Sequence, residues 1–233
     1  IVEDGLVLAL DAANVKSYPG SGTVWNDLSG NSNDGTLTNG PTFSSNNSGI
    51  FSFDGANDIV VGPATVNSLS STTMTISIWT NPNSTTQKNT LLSKWGRSSL
   101  GNFSWLLFLN WFSTGKLYFL VGNSAGSGYS THSIDHNLTI GIWTNFTVSY
   151  NSGSISIYRD GIKISTVSSS YTTLKTVSTP LGIGHDYDAA GAAEDTTFRF
   201  YNGKIAETKI YNRVLTAAEV LQNYNATKGR FGL

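Results

Sequence analysis

Asn145-Phe-Thr-Val-Ser-Tyr150 and Ser154-Ile-Ser-Ile-Tyr158 flank a turn at Asn151-Ser-Gly153, and Asp160-Gly161 then leads into Ile162–Val167. Apolar and polar residues alternate with a period of two, and Asx and Gly break the runs. That pattern is the strongest short-range signal for antiparallel hairpins. Met74-Thr-Ile-Ser-Ile-Trp79 repeats it, with Met74, Ile76 and Ile78 on one face and Trp79 on the other. Strand signals recur at Leu6–Leu10, Ile50–Phe53, Ile59–Gly62, Leu91–Trp95, Phe103–Leu109, Leu117–Val121, Leu181–Gly184 and Gly203–Tyr211. Residues 20–49, 122–137 and 185–197 are polar and glycine-rich and read as loops.

One stretch reads as a helix. Thr216-Ala-Ala-Glu219 is a capping box, after which Val220, Leu221 and Tyr224 share a face and Gly229 ends the run. The expected fold is therefore all-β: a two-sheet antiparallel β-sandwich with one short C-terminal helix. No linker divides the 233 residues, so 1–233 reads as a single domain.

Composition narrows the function. Charged residues make up 12% and the formal net charge is −1, so a polyanion gains no long-range attraction and no nucleic-acid partner is expected. No apolar run is long enough to cross a bilayer as a helix, so no membrane insertion is expected. The chain has no cysteine, which removes disulfides, thiolate metal sites and thiol catalysis. Six Trp, ten Tyr and eleven Phe supply the apolar material instead.

Several motifs stand in order along the chain. They include Trp25-Asn-Asp-Leu-Ser-Gly-Asn31, Phe53-Asp-Gly-Ala-Asn-Asp-Ile-Val60, Thr75-Ile-Ser-Ile-Trp79, Leu92-Ser-Lys-Trp95, Trp143-Thr-Asn-Phe-Thr-Val148, Ile157-Tyr-Arg-Asp-Gly161, Leu181-Gly-Ile-Gly184 and Asn202-Gly-Lys-Ile-Ala-Glu-Thr-Lys-Ile-Tyr211. The ordered set resembles the laminin-G-like, concanavalin A-like lectin/glucanase superfamily (a jelly roll) over nearly the whole chain. The two ends, Gly5–Asn14 and Asn223–Leu233, resemble domains of phage structural proteins such as tail fibres and head appendages. In that fold, Trp79 and Trp143 are expected to seed the core between the sheets.

The resemblance implies a non-catalytic carbohydrate-binding or adhesion module, extracellular or on a virion surface. Its partners would be cell-surface or extracellular polysaccharide and other virion proteins. An architectural virion domain that binds no sugar is the alternative, and a divergent glycan-cleaving enzyme is a third. Glycosidases of the superfamily carry Glu-x-Asp-x-x-Glu on one strand, because one carboxyl must donate a proton while the other attacks or activates water. Glu3, Glu194, Glu207 and Glu219 do not form that pattern, and Glu207 reads as a solvated charge beside Lys209.

For the sugar site, aromatic rings must stack on C–H faces while Asx and Arg groups take hydroxyls. Trp95 and Arg97 (with Lys94, on a presumed rim loop), Trp111, Tyr118, and the loop His185-Asp186-Tyr187 are the expected ligand-binding residues. Trp105 and Trp111 share parity with Leu107 and Leu109, which places at least one of them in the core. Structural calcium is expected from the superfamily. It needs six to eight oxygen ligands, and Asp54, Asn57 and Asp58 are the first choice, ahead of Asp27, Asn31, Asn33 and Asp34.

Overall fold

A computed structural model describes residues 1–64, 66, 72–96, 103–123, 128–187 and 199–233. The strands are β1 (Leu6–Asp11), β2 (Val24–Trp25), β3 (Gly35–Thr38), β4 (Thr42–Ser44), β5 (Ile50–Asp54), β6 (Ile59–Gly62), β7 (Thr73–Pro82) and β8 (Asn89–Trp95). They continue with β9 (Phe103–Leu109), β10 (Lys116–Gly122), β11 (Tyr129–Asp135), β12 (Thr144–Asn151), β13 (Ser154–Arg159), β14 (Ile162–Ser168), β15 (Leu181–Ile183) and β16 (Asn202–Tyr211). One α-helix, α1 (Ala217–Thr227), follows.

The first sheet runs β14-β13-β12-β7-β16, and β16 pairs on its far side with β5 and then β1, with β4 outside β5. The second runs β11-β10-β9-β8-β15-β6-β3-β2. Every strand pair is antiparallel. The two hairpin turns read from sequence are both present. Ser152 and Gly153 have φ of 46° and 93°, Asp160 and Gly161 of 52° and 77°. Two consecutive left-handed residues match the right-handed twist of the flanking strands.

Between the sheets lie Met74, Ile76 and Ile78 of β7, Phe146, Val148 and Tyr150 of β12, and Trp105, Leu107 and Leu109 of β9. All are fully buried, and each such side chain contributes about 1.5–3 kcal/mol. Trp105 is thus the core tryptophan of its pair. Trp79 and Trp143 are not between the sheets. They lie on the outer face of the first sheet with Ile50, Ala206, Tyr224 and Phe231: Trp79 has the parity opposite to Ile78 on β7, and Trp143 stands just before β12.

The capping box forms as expected: Thr216 Oγ1 accepts from Glu219 N at 3.2 Å, and Glu219 Oε2 accepts from Thr216 N at 2.8 Å. Arg213 and the capping bonds hold the Glu219 carboxyl down at about 2. The buried face of α1 differs from the expected one. Val220, Asn223 and Thr227 are buried and Leu221 is exposed. Val220 and Tyr224 pack on apolar clusters beneath the helix, and Asn223 meets the polar groups between them: its Nδ2 donates to Tyr211 Oη at 3.0 Å and its Oδ1 accepts from Val2 N at 2.8 Å. Gly229 does not end the helix, which passes at Lys228 into a 3-10 turn closed by Gly232 at φ 74°.

Candidate functional site

The C-terminal segment packs on the outer face of the first sheet. On the outer face of the second sheet, strand parity aligns Thr90, Ser93, Leu106, Phe108, Tyr118 and Leu120, opposite in phase to the core residues. Trp95, Phe103 and Trp111 complete an aromatic cluster there.

At one end, Trp95 stacks on Phe103 with centroids 4.6 Å apart, and Tyr129 meets both edge-on at 5.3 and 5.9 Å. At the other end the rings form a chain: Phe108 to Trp111 at 4.7 Å, Trp111 to Phe112 at 5.8 Å, Phe112 to Tyr118 at 5.9 Å. Phe112 is 65% exposed and Tyr129 40%. The Arg199 guanidinium lies 5.2 Å from the Trp111 ring centroid, within cation–π range. Arg199 Nη1 is also 3.4 Å from Asp186 Oδ2, and Thr90 Oγ1 donates to Asp186 Oδ1 at 3.3 Å.

The turn that carries Trp111 and Phe112 is fixed by one residue. Asn110 sits at φ 61° and accepts from Gly115 N through Oδ1 at 2.7 Å. Its Nδ2 donates to Thr85 O at 3.1 Å and Gln87 O at 2.8 Å. Ser113 N donates to Tyr118 Oη at 2.9 Å. The exposed rings are therefore held in place before any ligand arrives, which lowers the ordering cost of binding.

Of the expected ligand residues, Trp95, Trp111 and Tyr118 lie in this cluster, and Asp186 meets it through Arg199. Their exposure differs from expectation. Trp95 and Lys94 lie within β8 and are buried, so neither is on a rim loop. His185, Asp186 and Tyr187 are buried as well, since that segment docks against β8: Tyr187 N donates to Trp95 O at 3.2 Å and Ser93 Oγ to His185 O at 2.8 Å. His185 stacks on Phe200 with centroids 3.7 Å apart. Tyr187 thus packs inward and offers no stacking platform, and Tyr118 is buried as well. Trp111 remains half-exposed. Arg97 lies outside the described residues, as does Glu194. Phe112, Tyr129 and Arg199 carry the accessible part of the face, and only adjacency to Trp111 marked Phe112 in the sequence.

The turn Asp54–Asp58 closes on itself. Asp54 Oδ1 accepts from the amides of Ala56, Asn57 and Asp58 at 2.7, 3.1 and 3.4 Å, and Asp58 Oδ2 accepts from Asp54 N at 3.0 Å. Burial pushes the Asp54 carboxyl up, but these amides outweigh it and leave it below its ordinary value. Burial and the nearby Asp54 charge raise Asp58. Asn57 contributes its carbonyl to Asn39 Nδ2 at 3.0 Å. At the second cluster, Asp27 accepts from Ala9 N, Ser29 N, Ser29 Oγ and Asn33 N. No group of three His, Cys, Asp or Glu residues converges among the described residues. Backbone amides take Asp54 Oδ1 and Asp58 Oδ2, one oxygen of each carboxylate, and this pattern is that of an Asx turn. Chelation should accordingly leave the melting temperature within about 1 °C. A calcium-induced rise of several degrees, lost in Asp54→Asn, would show an ion at this turn.

Glu207 is also not as expected. It is buried and ion-paired with Lys209 rather than solvated.

A family model for the concanavalin A-like lectin/glucanases superfamily matches residues 53–221. No curated protein sequence matches the chain. Among solved structures, the binding domain of botulinum neurotoxin serotype D is similar with TM-score 0.70 at 12% identity, covering 97% of this chain and 52% of that one. The serotype D ligand-binding domain in complex with N-acetylneuraminic acid is similar with TM-score 0.66 at 16% identity, over 97% and 52%. Domain 4 of the extracellular arabinanase AbnA from Geobacillus stearothermophilus, in complex with arabinotriose, is similar with TM-score 0.70 at 18% identity, over 95% of this chain and 98% of that one. The chain spans about half the length of the toxin binding domains and nearly all of the arabinanase domain. At these identities the likeness shows the fold.

Proposed function

The chain belongs to the concanavalin A-like lectin/glucanase superfamily, and from that premise we propose that it is a non-catalytic carbohydrate-binding module whose ligand surface is the aromatic outer face of the second sheet. The observation that carries this reading is the pre-set turn holding Phe112 and Trp111 beside Arg199 and Asp186. Rings of this kind supply a hydrophobic platform for sugar C–H faces, while a guanidinium supplies hydroxyl contacts. Two neighbours of the same fold hold N-acetylneuraminic acid and arabinotriose. The partner is a polysaccharide outside the cell, and the phrasing of the two chain ends supports display on a phage particle. No described helix is long and apolar enough to cross a membrane.

Phe112 is exposed, so Phe112→Ala leaves the fold intact and reports on binding alone. Removing a central aromatic contact should cost about 1–2 kcal/mol, a roughly five- to thirty-fold rise in Kd. Affinity electrophoresis on arabinan and titration with sialylated oligosaccharides would read it. A wild-type chain that retains no glycan on an array, or a Phe112→Ala chain that binds as tightly, counts against this face.

An architectural role has one observation in its favour: Ile162 and Ile164 are exposed on β14, an edge strand. A stable oligomer in light scattering, broken by Ile162→Lys, with no glycan binding, would support that role instead.

A further inference from the structure

Glu207 and Lys209 stand two apart on β16 and so share the outer face of the first sheet, opposite Asp11 and Ala9 of β1. Lys209 Nζ contacts Glu207 Oε1, with the side chains 4% and 6% exposed. A buried ion pair adds little net stability, because desolvation offsets the attraction. The pair also takes no part in the adjacent polar network, where Asn145 Nδ2 and Thr147 Oγ1 donate to Ser77 Oγ at 3.2 and 3.0 Å. An ammonium has three donors and a carboxylate about four acceptor positions. The ion pair engages one of each.

The pair lines a hollow of about 280 Å³ between β1, β16 and the end of α1, together with Ala9, Leu28, Ala226 and Thr227. Asp11, also in the lining, is held by Arg230 Nη1 at 2.8 Å. The charged side chains of the lining are thus all paired, so the hollow offers a charged ligand no net counter-charge. A group with a donor next to an acceptor breaks nothing.

We propose that this hollow is a second binding pocket, apart from the aromatic face, for a single neutral sugar ring held by two adjacent hydroxyls. One hydroxyl oxygen accepts from Lys209 Nζ, its neighbour donates to Glu207 Oε2, and the ring's C–H groups lie against Ala9, Leu28 and Ala226. The volume sits at the small end of ligand pockets, which start at roughly 300 Å³, so it suits one ring and not a chain.

The test is a titration of the isotope-labelled full chain with glucose, arabinose and N-acetylneuraminic acid at tens of millimolar, following the amide signals of Ala9, Lys209 and Ala226. The expected result is a saturable shift of these signals with the neutral sugars. It should weaken at least ten-fold in Ala226→Phe, which plugs the mouth from an exposed helical position, and in the double variant Glu207→Met/Lys209→Met, which removes both charges together and spares the fold. Phe112→Ala should leave these shifts unchanged, so failure of the aromatic face and failure of the pocket are separable. Unshifted signals with both neutral sugars, or shifts that persist undiminished in Ala226→Phe, would overturn the proposal.

Discussion

Trp79→Ala should destabilise the protein by about 3–5 kcal/mol, the range for deleting a large buried aromatic. Trp79 is 1% exposed and joins the C-terminal segment to the first sheet. Its ring stacks on Tyr224 at 5.5 Å and 18°, packs on Phe231 at 4.3 Å, and its Nε1 donates to Thr227 Oγ1 at 2.9 Å. An isolated helix shorter than about 12–15 residues is marginal in water, and α1 has 11. Its stability therefore comes from this docking. Removal of the indole leaves a cavity, frees the aromatic side chains of the helix, and takes the donor from Thr227. The urea midpoint should fall, and amide exchange over 217–231 should accelerate more than over β12 and β13. A loss below about 1 kcal/mol, or uniform acceleration across both sheets, would show that the helix does not depend on Trp79. Trp79→Phe, which retains part of the stack, should fall between the two.

The same tryptophan shows where sequence reasoning works and where it stops. Parity put Trp79 opposite Met74, Ile76 and Ile78, and that alternation is real. Alternation cannot say which layer covers the second face, and the covering layer here is a helix 138 residues downstream. The hairpins at 151–153 and 160–161 were legible because two left-handed residues in a row demand Asx, Ser or Gly. β11 was not legible, and residues 122–137 read as a loop. It is an edge strand with Tyr-Ser-Thr-His-Ser-Ile-Asp, paired on one side only, so its sequence needs few apolar positions. β2, β3 and β4 are two to four residues long, too short for any period to register.

The candidate site was half-legible for a related reason. Chemistry marks Trp95, Trp111, Tyr118 and His185–Tyr187 in the sequence, and β8, the turn after β9, and β10 bring the first three to one face. Chemistry alone does not tell which aromatic is outermost. Trp95 supports Phe103 and Tyr129 from beneath, and Asp186 holds Arg199, so the residues of richest chemistry serve as the floor. Phe112, an unremarkable residue in a polar turn, takes the exposed position because Asn110 fixes that turn outward.

Stability should rise from pH 8 to about pH 9.5. Lys94 is 1% exposed, and its acceptors among the described residues are two carbonyls, Thr179 O at 2.5 Å and Ala64 O at 3.0 Å. Burial without a carboxylate pushes its ammonium down from 10.5 to about 8. Below pH 8 both folded and unfolded chains carry the proton, and the cost of burying the charge is fully present. Between 8 and 10.5 the unfolded chain keeps the proton that the folded chain has lost, so this group alone favours the fold as pH rises, by about 3 kcal/mol over the whole interval. Above about pH 9.5 the sign turns. Burial raises Tyr150 and Tyr211 to about 12, and Tyr187 and Tyr201 higher still, so the folded state then holds protons that the unfolded state releases. A maximum at about pH 9.5 follows, where the protons the four tyrosines lose on unfolding balance the one Lys94 gains. Urea midpoints taken from pH 7 to pH 11 would trace it, and Lys94→Met should abolish the rise between 8 and about 9.5 while leaving the fall above it. A wild-type profile that is flat over that interval, or a rise that survives in Lys94→Met, would mean that Lys94 is solvated or paired in solution.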